Sequence, residues 1–134
     1  VCRNGVFGGR MIENVQRAGG EAIVVEDAWG EPIDPQKLED ALKKNPDAKL
    51  VSFVHAETST GVQSDAKTLI EIAHKHNALT IMDAVTSLAG CPVLVLMVAI
   101  NPQSLPRAPF LVTAILIGDR SLILANDEVA RIRG

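Results

Sequence analysis

The chain has 134 residues, of which 47% are hydrophobic and 3% are aromatic, and its formal net charge is −3. This length and composition are typical of one globular domain with its own core and argue against a disordered tail. The sequence has no stripe of basic residues, so we expect no nucleic-acid partner. It also has no apolar run of about 20 residues, the length that crosses a membrane, so we expect no membrane span.

Helical spacing of apolar residues predicts three helices in the first part of the chain, over residues 7–18, 35–45 and 65–77. Gly19 and Gly20 end the first helix. We expect Asp34 to be the N-cap of the second helix, with Pro35 at its first position. Ser64 is the predicted N-cap of the third helix.

Short runs of apolar and β-branched residues predict strands over residues 21–26, 48–56, 78–83 and 91–95. The run over 48–56 is almost continuously apolar, which is typical of a strand covered on both faces. We expect polar loops over residues 27–34 and 57–63. Because helices and strands alternate with short links, the sequence predicts an α/β domain with a mostly parallel sheet.

This alternation stops at about Leu96, and three prolines follow within residues 102–109. Beyond them, the sequence predicts a hairpin over residues 115–125 that turns at Gly118 and Asp119, and a terminal helix over Glu128–Arg133. We therefore divide the chain into a domain over residues 1–95 and a divergent tail over residues 96–134.

Ligands of parallel α/β sheets bind outside the carboxyl ends of the strands, which draws attention to Asp83. This carboxylate ends the predicted strand 78–83, where an ionised group needs a cationic or hydrogen-bonding partner. A protonated pyridine nitrogen is one such partner. The alternative is a structural Asp that bonds its own loop through Ser87 or backbone N–H groups.

Two other strand ends also carry candidate ligand-binding residues. Thr58 lies in the hydroxyl-rich segment ETSTG, which either bonds a ligand oxygen or forms an ordinary turn. Phe7 lies in the glycine-rich segment NGVFGGR, where its ring either stacks on a flat ligand or packs on the following helix.

Histidine and cysteine residues give little sign of metal or thiol chemistry. His74 and His76 point to different faces of a helix, and no carboxylate or cysteine completes a set of ligands around His55. We therefore expect no metal. Cys2 and Cys91 form no disulfide framework, and a reduced, intracellular setting is the simplest interpretation.

Four motifs in order, NGVFGGRM, WGEPID, HAETSTGV and MDAVTSLAG, resemble the class V aminotransferases. Within this family they are most similar to the alanine–glyoxylate and serine–pyruvate (serine–glyoxylate) branch. The resemblance implies that residues 1–95 are part of the large domain of a fold-type I enzyme, a three-layer αβα structure that binds pyridoxal 5′-phosphate. It also implies a homodimer, with small amino acids and 2-oxo acids as substrates.

The resemblance assigns three residues to the cofactor. Asp83 matches the aspartate that pairs with the pyridinium nitrogen, Phe7 matches an aromatic position that stacks on the ring, and Thr58 matches a hydroxyl position near the ring hydroxyl. His55 and Glu57 belong to the same motifs, and we expect them to shape the loop rather than to contact the cofactor.

The family's next motif, a GSQK-like segment whose lysine forms the Schiff base, is absent, and no lysine follows Lys75. We therefore expect a fragment without a catalytic residue of its own, inactive by itself, with a tail that is irregular or mistranslated. The compartment implied for the enzyme is the cytoplasm, or a peroxisome or mitochondrion in a eukaryote. The alternatives are a non-catalytic α/β interaction domain and another fold-type I enzyme, such as a cysteine desulfurase or a phosphonate-pathway transaminase.

Overall fold

The computed structural model describes residues 1–87 and 90, together with the backbone of residues 113–117 and 120–124. The helices within these residues are α1 (Val6–Arg17), α2 (Pro35–Lys44) and α3 (Ala66–Lys75). The strands are β1 (Cys2–Arg3), β2 (Val25–Glu26), β3 (Leu50–Val54), β4 (Ala56–Glu57), β5 (Val62–Gln63), β6 (Leu79–Asp83), β7 (Thr113–Ile117) and β8 (Arg120–Leu124). None of the described helices is long and apolar enough to cross a membrane.

The predicted α/β class with parallel strands is confirmed. Strands β3 and β6 pair in parallel along their full length, from Leu50 opposite Leu79 to Val54 opposite Asp83. Strands β1 and β2 also pair in parallel. The crossover from β3 to β6 runs through α3, which is the connection that a parallel pair requires. The carboxyl ends of β3 and β6 therefore lie side by side.

The core forms where the apolar face of each helix meets the sheet. Phe53 of β3 and Met82 of β6 lie opposite each other and are fully buried, and Leu69 and Ala73 of α3 are fully buried as well. Leu38 and Leu42 of α2 complete this cluster. The buried residues of the helices thus follow the helical spacing of apolar residues, as predicted from the sequence.

The N-cap of α2 is confirmed and that of α3 is corrected. The side chain of Asp34 accepts a hydrogen bond from the backbone N–H of Gln36 at 2.8 Å. The prediction of Ser64 as the cap of α3 was wrong, because Asp65 accepts the N–H of Thr68 at 3.2 Å. The buried hydroxyl of Ser64 instead accepts the N–H of Ile33 at 3.1 Å, which links the loop before α2 to the loop before α3.

Two further predictions need correction. The strand predicted over residues 21–26 is limited to Val25–Glu26, because only Cys2 and Arg3 of β1 are opposite it. The segment 57–63, predicted as a polar loop, begins and ends in strand: β4 and β5 pair antiparallel, with Ala56 opposite Gln63. Gly61, whose φ is 75°, allows the tight turn between them.

The predicted hairpin over residues 115–125 is confirmed by β7 and β8, which pair antiparallel. Its turn at Gly118 and Asp119 lies outside the described residues, as do the strand predicted over 91–95 and the helix predicted over Glu128–Arg133. The division of the chain at residue 95 stays a prediction.

Candidate functional site

The structure brings the three predicted site residues together in one cavity of about 330 Å³. Phe7 reaches it from the first turn of α1, Thr58 from the turn after β4, and Asp83 from the end of β6. Arg10 and Thr86 line the same cavity. The cavity lies at the carboxyl ends of the parallel strands, where ligands bind in α/β sheets.

Asp83 is half-buried at the end of β6, and one of its oxygens accepts the backbone N–H of Val85 at 3.0 Å. Burial raises the pKa of this carboxyl above its usual range; the bond from Val85 opposes that effect, and the charge of Glu57 adds to it. None of the ion pairs among the described residues involves Asp83. Burial thus disfavours the charged form of Asp83, which a nearby cation would stabilise.

The structural alternative for Asp83 named Ser87 or backbone N–H groups as its partners, and the second of these is observed. The carboxylate does bond its own loop, through the N–H of Val85. Ser87 is not its partner: the Ser87 hydroxyl lies 2.8 Å from Nδ1 of His55. The loop bond uses one carboxylate oxygen and leaves the Asp83 side chain on the wall of the cavity.

Phe7 is partly buried and contacts a cation on its own helix. The guanidinium carbon of Arg10 lies 5.0 Å from the centre of the Phe7 ring, within the range of a cation–π interaction. Arg10 is exposed and follows Phe7 by three residues, so the two side chains share one helix face. This contact places the Arg10 guanidinium beside the ring that lines the cavity.

Thr58 and Thr86 contribute a pair of hydroxyls to the same cavity. Their Oγ1 atoms are hydrogen-bonded to each other, which joins the turn after β4 to the loop after β6. The sequence did not lead us to predict Thr86 as a site residue. The one signal for it was its position shortly after Asp83.

Glu57 is 1% exposed and does not line the cavity, as expected for a residue that shapes the loop. One of its carboxylate oxygens accepts the backbone N–H groups of Phe7 and Gly8, at 3.1 and 3.2 Å. The other accepts the backbone N–H and the hydroxyl of Ser59, at 3.2 and 2.6 Å. Glu57 thereby connects the segments that carry Phe7 and Thr58.

His55 is buried behind the same turn. Its Nδ1 lies 2.8 Å from the Ser87 hydroxyl and its Nε2 lies 3.2 Å from the amide nitrogen of Gln63. Because an amide nitrogen only donates, Nε2 accepts and Nδ1–H donates to Ser87. Burial lowers the pKa of His55, and the charge of Asp65 opposes this shift only in part, so the ring is a neutral structural link. Among the described residues, no group of three or more His, Cys, Asp or Glu side chains is arranged to hold a metal ion.

A second cavity, of about 380 Å³, lies at the opposite end of the strands. Val1, Leu42 and Leu50 are among its lining residues, and none of the three predicted site residues reaches it. The cavity that contains Asp83 is therefore the candidate ligand-binding site.

Comparison with known proteins agrees with this architecture. The sequence pattern of the family described as aminotransferase class-V matches residues 10–100. Serine–glyoxylate aminotransferase of Methylorubrum extorquens is 38% identical over 96 residues, which are 69% of this chain and 24% of that protein. An uncharacterised aminotransferase of Methanocaldococcus jannaschii is 40% identical over 86 residues, 64% of this chain and 22% of that protein.

A solved structure gives the same result. The alanine–glyoxylate aminotransferase of a Nostoc species superimposes with a TM-score of 0.69 at 29% sequence identity, over 75% of this chain and 26% of that one. The chain spans about a quarter of the length of the curated relatives it matches. With a family match that extends over residues 10–100, the chain belongs to the class-V aminotransferase family.

Proposed function

We propose that the chain supplies the ring-binding part of a pyridoxal 5′-phosphate site in a transaminase. The transaminase would move an amino group from alanine or serine to glyoxylate or another 2-oxo acid. One observation carries the proposal: a half-buried carboxylate without a cationic partner among the described residues, Asp83, shares a cavity with Phe7 and Thr58.

The residues at this cavity fit the ring of the cofactor. The Asp83 carboxylate would accept the N–H of a protonated pyridine, which relieves the unfavourable burial of an unpaired charge. Phe7 offers an aromatic surface to the flat ring, and the Thr58 hydroxyl can hydrogen-bond a ring oxygen. When bound, the cofactor supplies the electron sink that stabilises negative charge at the substrate Cα. Asp83 contributes by holding the proton on the ring nitrogen.

The Schiff-base lysine is the part that this chain does not supply. No lysine occurs after Lys75 in the sequence, and none lines the cavity among the described residues. We therefore infer that the chain by itself does not transaminate, and that the rest of the active site belongs to other segments of the whole enzyme. We also propose that this whole enzyme is a cytoplasmic homodimer.

The relatives' names support glyoxylate as the amino acceptor. The Methylorubrum relative is a serine–glyoxylate enzyme, and the Nostoc structure is an alanine–glyoxylate enzyme. A second candidate acceptor is pyruvate. The observation that favours it is the 33% identity, over 69% of the chain, to a 2-aminoethylphosphonate–pyruvate transaminase of Lactiplantibacillus plantarum.

Binding of 4′-deoxypyridoxine 5′-phosphate tests the ring site, because this analogue has no aldehyde and binds without a lysine. We expect Asp83→Asn to weaken the affinity of the chain for this analogue at least about tenfold, because the substitution removes a charge-assisted hydrogen bond. The matched control is Asp47→Asn, at an exposed position lining the other cavity. Equal affinities for the wild-type chain and Asp83→Asn would reject the proposal.

A further inference from the structure

We propose that Glu57 is a positioning residue of the ring site, because its buried carboxylate holds the start of α1 and the turn after β4 in one fixed arrangement. The first segment carries Phe7 and the second carries Thr58. This inference rests on the proposed function for the identity of the ligand, whereas the arrangement itself is independent of any ligand.

The four hydrogen bonds to the carboxylate of Glu57 all come from these two segments. Phe7 and Gly8 donate from the backbone of α1, and Ser59 donates twice from the turn. A carboxylate has acceptor capacity for all four donors, whereas an amide would place an NH₂ group against one of the two donor pairs. Glu57 is 1% exposed and Gly8 is buried, so water does not readily replace the carboxylate at the start of α1.

Helix α1 depends on this external acceptor because it has no local one. Its N-cap is Gly5, which has no side chain, and its first turn contains no acidic residue. The first N–H groups of a helix have no partner inside the helix. Here Phe7 and Gly8 donate to Glu57, and Val6 donates to the Ser59 hydroxyl at 3.0 Å. A segment 50 residues further along the chain thus provides the cap.

The close approach of Glu57 requires glycine at position 5. A Cβ atom on Gly5 would lie 2.4 Å from Cγ and 2.5 Å from Cδ of Glu57. Its φ is 178°, an extended conformation that any residue adopts, so the requirement comes from space alone. Gly5 is therefore part of the same arrangement, because a residue without a side chain leaves room for the Glu57 carboxylate.

Glu57 also acts on Asp83 through its charge. Burial is the main cause that raises the Asp83 pKa, and the Glu57 carboxylate raises it further. A neutral residue of the same shape at position 57 should therefore lower the Asp83 pKa. This shift reports only that the two carboxylates are close, so amide exchange and ligand affinity carry the test of the positioning role.

The variant that tests the inference is Glu57→Gln, with Glu71→Gln on the exposed face of α3 as the control. In Glu57→Gln we expect at least about tenfold faster amide exchange at Phe7, Gly8 and Ser59, with β3 and β6 protected as in the wild-type chain. The Asp83 pKa, followed by ¹³C NMR, should fall. Affinity for 4′-deoxypyridoxine 5′-phosphate should drop at least about tenfold.

Glu57→Gln with the exchange rates, Asp83 pKa and affinity of the control would overturn the inference. If Asp83→Asn binds the analogue as well as the wild-type chain, the ring-site proposal fails, while the exchange rates still decide whether Glu57 holds the two segments together. If Glu57→Gln does not fold, Ser59→Ala replaces it, since it removes one donor to Glu57 and the acceptor of the Val6 N–H. Unchanged exchange at Val6 and Phe7 together with unchanged affinity in Ser59→Ala would equally overturn the inference.

Discussion

The backbone N–H of His55 donates to the carbonyl oxygen of Asp83 at 2.9 Å, one residue beyond the last paired position of β3. This bond fixes the end of β6, which carries the candidate ligand carboxylate, to the start of the segment that carries Glu57 and Thr58. The site is therefore built on hydrogen-bonded backbone rather than on independent loops, which limits how far its side chains can separate.

The raised pKa of Asp83 predicts a particular pH dependence of stability. The interval that matters lies between the Asp83 pKa of the unfolded chain and the higher Asp83 pKa of the folded chain. Within it the folded chain binds more protons than the unfolded chain, so the free energy of unfolding falls as the pH rises. Asp83→Asn removes the ionisation and keeps an oxygen that accepts the N–H of Val85. We expect this variant to melt slightly above the wild-type chain at pH 7, with the difference vanishing below about pH 3.8, the ordinary value for Asp. Thermal melts of both chains from pH 3 to pH 8 test it, and a difference independent of pH would contradict it.

Two glycines at the start of α1 should respond to alanine in opposite ways. Gly5→Ala places a methyl group 2.4 Å from Cγ of Glu57, and we expect a loss of about 1–3 kcal/mol in the free energy of unfolding, typical of an overpacked site. At Gly9 the nearest atom, Cδ of Arg3, is 3.9 Å away, so Gly9→Ala should gain about 0.5–1 kcal/mol from helix propensity. Urea unfolding of the two variants measures both effects, and a gain in Gly5→Ala would be inconsistent with the observed packing.

The corrected cap of α3 gives a prediction at Asp65. Asp65→Ala removes the acceptor of the Thr68 N–H and should cost about 1 kcal/mol of unfolding free energy at pH 7. The hydroxyl and N–H of Thr68 lower the Asp65 pKa, so this contribution is present above the unfolded pKa and disappears as the pH falls through the folded one. Urea titrations at pH 7 and pH 2.5 test the sign. Thr68→Ala is the partner variant, and a penalty in Asp65→Ala that grew at low pH would contradict the assignment.

Arg10 provides a prediction for the ring site. Its contact with Phe7 is an exposed cation–π interaction, worth about 0.5–1 kcal/mol. If it holds the Phe7 ring for the ligand, Arg10→Ala should weaken binding of 4′-deoxypyridoxine 5′-phosphate about two- to fivefold, whereas Arg10→Lys should keep most of the affinity. Arg17→Ala on the same helix, where Arg17 pairs with Glu13, controls for the loss of positive charge. Equal losses in Arg10→Ala and Arg17→Ala would show that net charge alone is responsible.

Local sequence determined most of the regular structure. Helix α2 begins where Asp34 and Pro35 predict, because a side-chain cap and a fixed φ act within one helical turn. Strands β3 and β6 follow apolar runs, since such runs are stable only where both faces are covered. The position of Asp83 at a strand end followed from the same pattern, and the rule that ligands bind at the carboxyl edge of a parallel sheet selected it.

Tertiary structure decided which partners these residues meet. Sequence spacing favoured Ser64 as a cap, but the fold buries its hydroxyl beside the N–H of Ile33 and leaves Asp65 to cap α3. The bonds from Glu57 to Phe7 and Gly8 join residues about 50 positions apart. Hydrogen bonds act over about 3 Å, so their partners are chosen by which strand ends the sheet brings side by side. Residue types and local periodicity fix the strands, but only the packed sheet determines which carboxylate caps a distant helix and which one faces the cavity.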